Sequence, residues 1–211
     1  MSENPSSINR VKTYLANQLT ERVRMIVGDC ETFSHVRIEK HEWFDELHLG
    51  GGNFIMTLAL FALMNVLAQM YRFFKTGKLR EINETVAFGQ LVEGLGNLVN
   101  LGCSTKKEGE EIWRDFRNKL AHMASPSPYS MVGVWGHIQE LQTYESWKEK
   151  ILERPVFIRY PTGIWQCDAD RLTFCVPQIA ELIHNEIAKC EDEALLRAMV
   201  KWITGWNVSV G

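Results

Sequence analysis

The sequence contains few cysteines, and their spacing fits neither a disulfide framework nor a common metal motif. Five cysteines are spread over 211 residues, and no two have C-x-x-C spacing. An odd number of scattered thiols is typical of reduced cysteines in the cytoplasm. The opening segment, MSENPSSINR, is polar and lacks the apolar core of a signal peptide. We therefore expect a cytoplasmic protein.

The sequence also lacks a surplus of positive charge. Its formal net charge is -3, so the molecule as a whole gives no electrostatic signal for nucleic acid. Any RNA binding would need a local basic patch or a groove completed by a second subunit. Lys75, Lys78 and Arg80 form one candidate patch, and Lys106 and Lys107 form another. Solvated charges at helix ends are the alternative interpretation of both groups.

No apolar run is long enough to make a clear membrane span. The longest candidate covers residues 54–68 and is interrupted by Thr57 and Asn65. A helix needs roughly 20 apolar residues to cross a bilayer. We therefore predict a buried helix over 54–75 and no membrane association.

Helical periodicity accounts for most of the chain, and one short region is β-prone. Two β-prone runs flank Pro161-Thr162-Gly163, which is typical of a hairpin. The pattern predicts an all-α fold in one domain, residues 1–211, with a small β-hairpin insertion near 155–168. The predicted helices cover residues 7–27, 54–75, 80–100, 106–123, 177–189 and 192–205.

The predicted helix at 106–123 carries a set of residues suited to phosphodiester chemistry. On a helical wheel, the apolar residues Ile112, Trp113, Phe116, Leu120 and Met123 share one side. The polar residues of the other side are Arg114, Asn118 and His122, with Arg117 at its border. The wheel therefore predicts that these polar residues share one surface.

Each of these residue types has a chemical use at a phosphodiester. Histidine titrates near neutral pH and can take a proton from a ribose 2′-hydroxyl or give one to a leaving oxygen. Arginine offers a planar fork of donors to phosphate oxygens and to the charge of the transition state. Asparagine can orient the imidazole. Such a mechanism needs no metal and no cofactor.

The segment Arg117-Asn118-Lys119-Leu120-Ala121-His122 resembles the motif of the HEPN family, in which arginine and a polar residue precede histidine near a helix end. HEPN domains are helical bundles, and many are metal-independent endoribonucleases of toxin–antitoxin and defence systems. The resemblance implies a HEPN-like bundle in which Arg117, Asn118 and His122 are catalytic. Arg114 and Lys119 are candidate substrate-binding residues.

The same resemblance implies a set of partners. RNA would be cleaved by transesterification from the 2′-hydroxyl, leaving a 2′,3′-cyclic phosphate and a 5′-hydroxyl. A homodimer would bring two copies of the motif into one composite cleft, and an antitoxin protein is a possible further partner. Ala124 occupies the position where some HEPN toxins carry a modified tyrosine, so regulation by that modification is not expected.

Two other interpretations are compatible with the motif. The chain could be a non-catalytic HEPN-like module for protein or nucleotide binding. Alternatively, His122 could cap its helix and Arg117 could pair with Glu110 or Asp115.

A metal site is a weaker hypothesis, based on His41, Asp45 and His48, which recur at near-helical spacing. No fourth ligand is identifiable, and a surface cluster is the simpler interpretation.

Overall fold

The computed structural model describes residues 7–39, 52–77, 83–118, 130–133 and 143–205, and these residues are mostly helical. The predicted helical class is therefore confirmed. The helices are α1 (Ser7–Glu39), α2 (Gly52–Thr76), α3 (Glu84–Leu95), α4 (Lys106–Ile112), α5 (Tyr144–Leu152), α6 (Ala169–Lys189) and α7 (Glu193–Thr204). A π-helical segment, Trp113–Asn118, continues α4, and the strands are β1 (Ser130–Gly133), β2 (Phe157–Arg159) and β3 (Trp165–Asp168).

Helix α2 lies in the core, as its composition predicts. It contacts α1, α3, α6 and α7. Leu60, Phe61, Met64 and Leu67 are completely buried. By length and composition, residues 55–76 could also cross a membrane, since an 18-residue stretch within them has a mean hydropathy of 1.4. However, 61% of that stretch is buried inside the protein. The contacts are those of a core helix.

Helix α1 is longer than the predicted 7–27 and packs against α6 and α7. Val11, Leu15 and Leu19 are completely buried on its inner side. Lys12 Nζ donates a hydrogen bond of 2.9 Å to the carbonyl of Ala188, near the end of α6. The helix pair is thus fixed by apolar packing and by a charge at a helix C-terminus, where a cation is favourable.

Helix α6 begins at Ala169, earlier than the predicted start at 177, and Pro177 lies inside it. Asp168 caps the helix by accepting a hydrogen bond of 2.9 Å from the backbone N–H of Arg171. The next acidic residue, Asp170, is buried and accepts a 2.6 Å hydrogen bond from Ser34 on α1. These polar contacts define the start of α6, and a local apolar pattern does not reveal them.

The predicted hairpin is present, but it belongs to a three-stranded sheet with the order β1-β3-β2. Strands β2 and β3 pair antiparallel, and Gly163 in the turn has a φ of 83°. Strand β1 pairs parallel to β3, with Ser130 opposite Trp165. The sequence therefore predicted the hairpin of β2 and β3 but not the third strand, β1.

The hairpin packs against the turn that follows α3. The predicted helix over 80–100 ends at Leu95, and the chain then turns towards Gly102. A Cβ atom on Gly102 would lie 2.0 Å from the carbonyl oxygen of Phe157, and Phe157 N–H donates a 2.8 Å hydrogen bond to Leu101. This close approach places the sheet beside the helix that carries the motif.

Candidate functional site

The motif helix α4 has a well-defined beginning. Thr105 is its N-cap and accepts a hydrogen bond from the backbone N–H of Glu108. The Glu108 carboxylate in turn accepts hydrogen bonds from Ser104 and Thr105, which completes a capping box. Burial alone would raise the pKa of Glu108, but these hydrogen bonds and Arg159 hold it below its usual value. The start of the helix is thus fixed.

Two glycines set the spacing between α3 and α4. A Cβ atom on Gly109 would lie 2.8 Å from the Cα atom of Gly89 and 2.9 Å from side-chain atoms of Val92. A Cβ atom on Gly89 would lie 2.7 Å from the carbonyl oxygen of Lys106. Only glycine lets the two backbones approach this closely.

An aromatic cluster holds the π-helical segment in the core. Trp113 and Phe116 are completely buried. The Trp113 ring lies 5.0 Å from Phe88 and 5.9 Å from Phe61, measured between centroids. Phe116 lies 6.0 Å from Phe61 and 6.2 Å from Phe157. Aromatic pairs of this kind contribute stability in addition to that gained by burying their apolar surface. The inner side of this segment is therefore firmly held in the core.

The prediction of a continuous α-helix over 106–123 is wrong over Trp113–Asn118, and residues 119–123 lie outside the described ranges. Residues Trp113–Asn118 form a π-helix, whose hydrogen bonds span five residues instead of four. Residues four apart, such as Arg114 and Asn118, therefore no longer align as they would in an α-helix. The predicted division into two sides does hold for Ile112, Trp113 and Phe116, which are buried.

The two described cations of the motif lie away from the core. Arg114 is exposed, and its Nε donates a 3.1 Å hydrogen bond to the carbonyl of Glu110. Arg117 is half-buried, as its predicted position at the border of the polar side implies. Its Cζ atom lies 5.9 Å from the centroid of the Trp113 ring, and its Nε is buried without a hydrogen-bond partner. Arg117 is thus positioned by an aromatic face.

The alternative pairing of Arg117 with nearby carboxylates is not found. Within the described ranges, no ion pair joins Arg117 to Glu110 or Asp115. Glu110 lies 3.8 Å from Lys106 instead. The described part of the chain therefore leaves the guanidinium without a carboxylate partner.

The remaining motif residues lie beyond the described ranges. The backbone of Asn118 ends the π-helical segment, but its side chain is not among the described ones. Lys119 and His122 lie outside the described residues altogether. The structure thus brings Arg114 and Arg117 onto one segment, and the assembly of the full set stays a prediction.

The hairpin contacts the motif helix, a relationship that the sequence analysis missed. Glu111 lies 3.5 Å from Arg159 Nη2 on β2 and accepts a 3.5 Å hydrogen bond from Trp165 Nε1 on β3. The Arg159 guanidinium also lies over the Trp165 ring, 5.4 Å from its centroid. No local signal predicts this contact, because the residues are far apart in the sequence.

The other sequence candidates have mixed outcomes. His41, Asp45 and His48 lie outside the described residues, as do Lys78 and Arg80. In the described part of the chain, no group of three potential ligands could hold a metal ion. Of the basic patches, Lys75 lies over the ring of Tyr71, 5.4 Å from its centroid, and Lys107 is exposed.

A second polar location lies between α1 and α6. An open groove of about 410 Å³ is lined there by apolar side chains and by Thr20, Arg24, Glu181 and His184. His184 Nε2 lies 3.3 Å from Thr20 Oγ1, and burial lowers the pKa of His184. This contact with α1 gives His184 a structural role between the two helices.

No protein-family model, curated protein or solved structure matches the chain. The fold and the described residues define a mainly helical protein with a small sheet packed against its motif helix. The resemblance to the HEPN family therefore depends on the motif residues and on the helical class.

Proposed function

We propose that this chain is a metal-independent endoribonuclease of the HEPN type, with Arg117, Asn118 and His122 as its catalytic residues. The observation that carries the proposal is the position of Arg117. Its guanidinium lies at the edge of a firmly buried segment, is supported by the Trp113 ring and has no carboxylate partner in the described ranges. A cation in this state is available to a phosphate group.

The π-helical segment gives independent support. Single π-helical turns are rare and occur frequently at functional sites. In this chain the π-helix covers residues 113–118, which include Arg117 and Asn118. The π-helix therefore falls on two of the three residues proposed to be catalytic.

The proposed reaction is an internal transesterification. The ribose 2′-oxygen attacks phosphorus, the bond from phosphorus to the 5′-oxygen breaks, and a 2′,3′-cyclic phosphate and a 5′-hydroxyl form. His122 takes the proton of the 2′-hydroxyl or gives one to the leaving 5′-oxygen. Arg117 stabilises the charge on the phosphoryl oxygens, and Asn118 orients the imidazole. Arg114 and Lys119 bind neighbouring phosphates.

The proposal includes a homodimer, because two copies of the motif would complete one cleft. RNA is the proposed substrate, and an antitoxin protein is a further proposed partner. The protein would act in the cytoplasm as a toxin or a defence effector. Cation placement agrees with this assignment, since Arg114 and Lys107 are exposed on the motif helix.

Purified protein should be tested on a mixed RNA pool in the presence of EDTA. Arg117→Ala and His122→Ala are each expected to lower cleavage by about 100-fold or more, the usual size of such losses. Arg24→Ala is a matched control, because Arg24 is exposed on α1, outside the motif. Mass spectrometry of the products should show cyclic-phosphate ends.

The result that would overturn the proposal is cleavage that persists in both motif variants or that requires a metal. No cleavage by the wild-type protein, together with RNA or protein binding that depends on the same surface, would favour the non-catalytic module. Circular dichroism of each variant separates loss of function from loss of fold.

A further inference from the structure

The β-hairpin holds a cation against the motif helix. Arg159, the last residue of β2, lies opposite Trp165 of β3, and its guanidinium covers the face of that buried ring. Its Nη2 atom lies 3.5 Å from a carboxylate oxygen of Glu111 on α4. The same oxygen accepts the hydrogen bond from Trp165 Nε1. An aromatic face and a carboxylate therefore fix the position of Arg159 beside α4.

These contacts leave most of the Arg159 guanidinium available. The group has donors on every nitrogen, and within the described ranges only Nη2 has a polar contact. The side chain is 48% exposed, so the other donors can reach a ligand. The 3.5 Å separation is longer than in a strong charge-assisted hydrogen bond, and an ion pair near the surface adds little stability. The pair with Glu111 positions the cation more than it neutralises it.

Two exposed cations of the motif helix lie close to this contact. Lys107 precedes Glu111 by four residues and Arg114 follows it by three, a spacing that keeps all three on one side of a helix. The hydrogen bond from Arg114 to the carbonyl of Glu110 places its guanidinium beside Glu111 independently of this spacing. We call Lys107, Arg114 and Arg159 the hairpin patch, which extends over about 10 Å along the helix axis.

The other carboxylates of α4 do not neutralise the hairpin patch. Glu108 accepts the hydrogen bonds of the capping box, and Glu110 lies 3.8 Å from Lys106. In the part of the chain that the structure describes, neither Lys107 nor Arg114 forms an ion pair. The patch is therefore a local site of positive charge on a chain whose net charge is -3. An acidic protein needs such a site to bind nucleic acid.

We propose that Arg159 binds the phosphate backbone of RNA together with Lys107 and Arg114, so that the hairpin is a substrate-binding element. The choice of RNA rests on the proposed function. The planar fork of Arg159 suits phosphate oxygens, and contacts of this kind position a strand without reading its bases. Arg117 follows Arg114 by three residues on the same segment. A strand on the patch is thus led towards the proposed catalytic residues.

Fluorescence anisotropy with a labelled 2′-O-methyl RNA of mixed sequence tests the patch, because an RNA without free 2′-hydroxyls cannot be cleaved by the proposed reaction. Arg159→Gln and Lys107→Gln should each weaken binding several-fold. Each should also lower the slope of log Kd against log salt concentration by about 0.7, the change for one lost phosphate contact on a single strand. Arg24→Gln is the matched control, because it removes an exposed cation from α1. A second RNA of different sequence should give the same losses.

Glu111→Gln distinguishes a phosphate contact from a structural ion pair. It breaks the same pair as Arg159→Gln, but it removes a negative charge from the patch and should therefore strengthen RNA binding. Arg159→Lys keeps the cation and should retain most of the affinity, and circular dichroism checks the fold of every variant. Weakening by Glu111→Gln equal to that by Arg159→Gln, unchanged binding in Arg159→Gln, or a wild-type chain that binds no RNA would overturn the proposal.

Cleavage assays separate this inference from the proposed nuclease. On cleavable RNA, Arg159→Gln should raise KM and leave kcat unchanged, whereas Arg117→Ala should lower kcat. Patch-dependent binding by a wild-type chain that cuts no RNA would support the patch and reject the nuclease. Cleavage that depends on Arg117 and His122, in a protein whose Arg159→Gln variant binds RNA as the wild type does, would reject the patch and leave the nuclease in place.

Discussion

The Cζ atom of Arg117 lies 5.9 Å from the centroid of the Trp113 ring, so a fully buried indole supports a half-buried cation. The two residues have different expected roles. Trp113 belongs to the aromatic core, whereas Arg117 faces the polar side of the same segment. Their contributions to stability should therefore be unequal.

Trp113→Ala should lower the free energy of unfolding by about 3–5 kcal/mol, because it removes a large buried ring. Arg117→Ala should lower it by only about 0.5–1 kcal/mol, the usual range for a cation over an aromatic face near the surface. Urea unfolding followed by tryptophan fluorescence and circular dichroism measures both. Equal losses would show that Arg117 is a structural residue rather than a site residue.

The glycine contact between α3 and α4 predicts opposite effects for two identical substitutions. Gly109→Ala should destabilise the protein by about 1–3 kcal/mol, because its Cβ would overlap Gly89 and Val92 and force the helices apart. Gly28→Ala, within α1, has no atom within 4 Å of the added Cβ and should stabilise the protein by about 0.5–1 kcal/mol. Urea midpoints test the pair, and a stabilised Gly109→Ala would contradict the close approach.

The attachment of α5 to α1 should depend on pH through Glu31. This carboxylate accepts hydrogen bonds from Lys148 Nζ at 2.9 Å and from Tyr144 Oη at 3.1 Å. The Lys148 contact, helped by Tyr144, lowers the pKa of Glu31. The contribution to stability is therefore present above the usual glutamate pKa and is lost as the pH falls through the lowered folded-state value.

Glu31→Gln should consequently lower the free energy of unfolding at pH 7 and have a smaller effect in acid, below the glutamate pKa. Denaturant unfolding at several pH values measures this difference. Glu149→Gln, which changes an exposed residue of α5, is the control and should show little effect at any pH. A Glu31→Gln effect that does not change with pH would contradict the role of the charge.

The thiols should differ sharply in reactivity. Burial raises the pKa of Cys30 to about 11 and that of Cys175 to about 12, and Cys103 and Cys167 are also buried. Thiolates are the reactive form, so these four should be inert in the folded protein. Cys190 is half-buried. Ellman's reagent should modify Cys190 first in the native state and all five thiols after denaturation; rapid reaction of two or more native thiols would contradict this packing.

Residue periodicity was sufficient to predict the elements whose packing follows from local pattern. The apolar run that became α2 is longer than any strand and buries residues at every turn. The turn at Pro161-Thr162-Gly163 has the conformation that its glycine allows. In the motif helix, the alternation of Ile112, Trp113 and Phe116 with arginines correctly separated the buried and polar sides.

The elements that sequence analysis missed depend on contacts distant in sequence. Helix α5 is short, and its Tyr144 and Trp147 are buried in a small cluster with Phe174. Strand β1 pairs with β3, which is more than 30 residues further along the chain, with Ser130 opposite Trp165. The sequence close to α5 or to β1 does not reveal the distant residues that each of them contacts.

The candidate site likewise has one part that the sequence predicted and one part that it did not. Residue chemistry selected the polar set of the motif helix, and the resemblance to the HEPN motif selected Arg117, Asn118 and His122 within it. The π-helical backbone and the aromatic support of Arg117 were not predictable, because an α-helix and a π-helix have the same apolar composition over so short a segment. Packing of Trp113 and Phe116 against Phe61 accompanies the π-helical geometry.

The contact between Gly89 and Gly109 also restricts how this protein can diverge. The exposed residues of α4 can be exchanged one at a time, so the substrate preference of the proposed site can drift through single mutations. The distance between α3 and the Arg117-bearing segment cannot change through a single mutation, because any larger residue at either glycine displaces the whole segment. Relatives with a different spacing would therefore need paired changes on both helices, and a lineage that keeps these glycines keeps the distance between α3 and α4 unchanged.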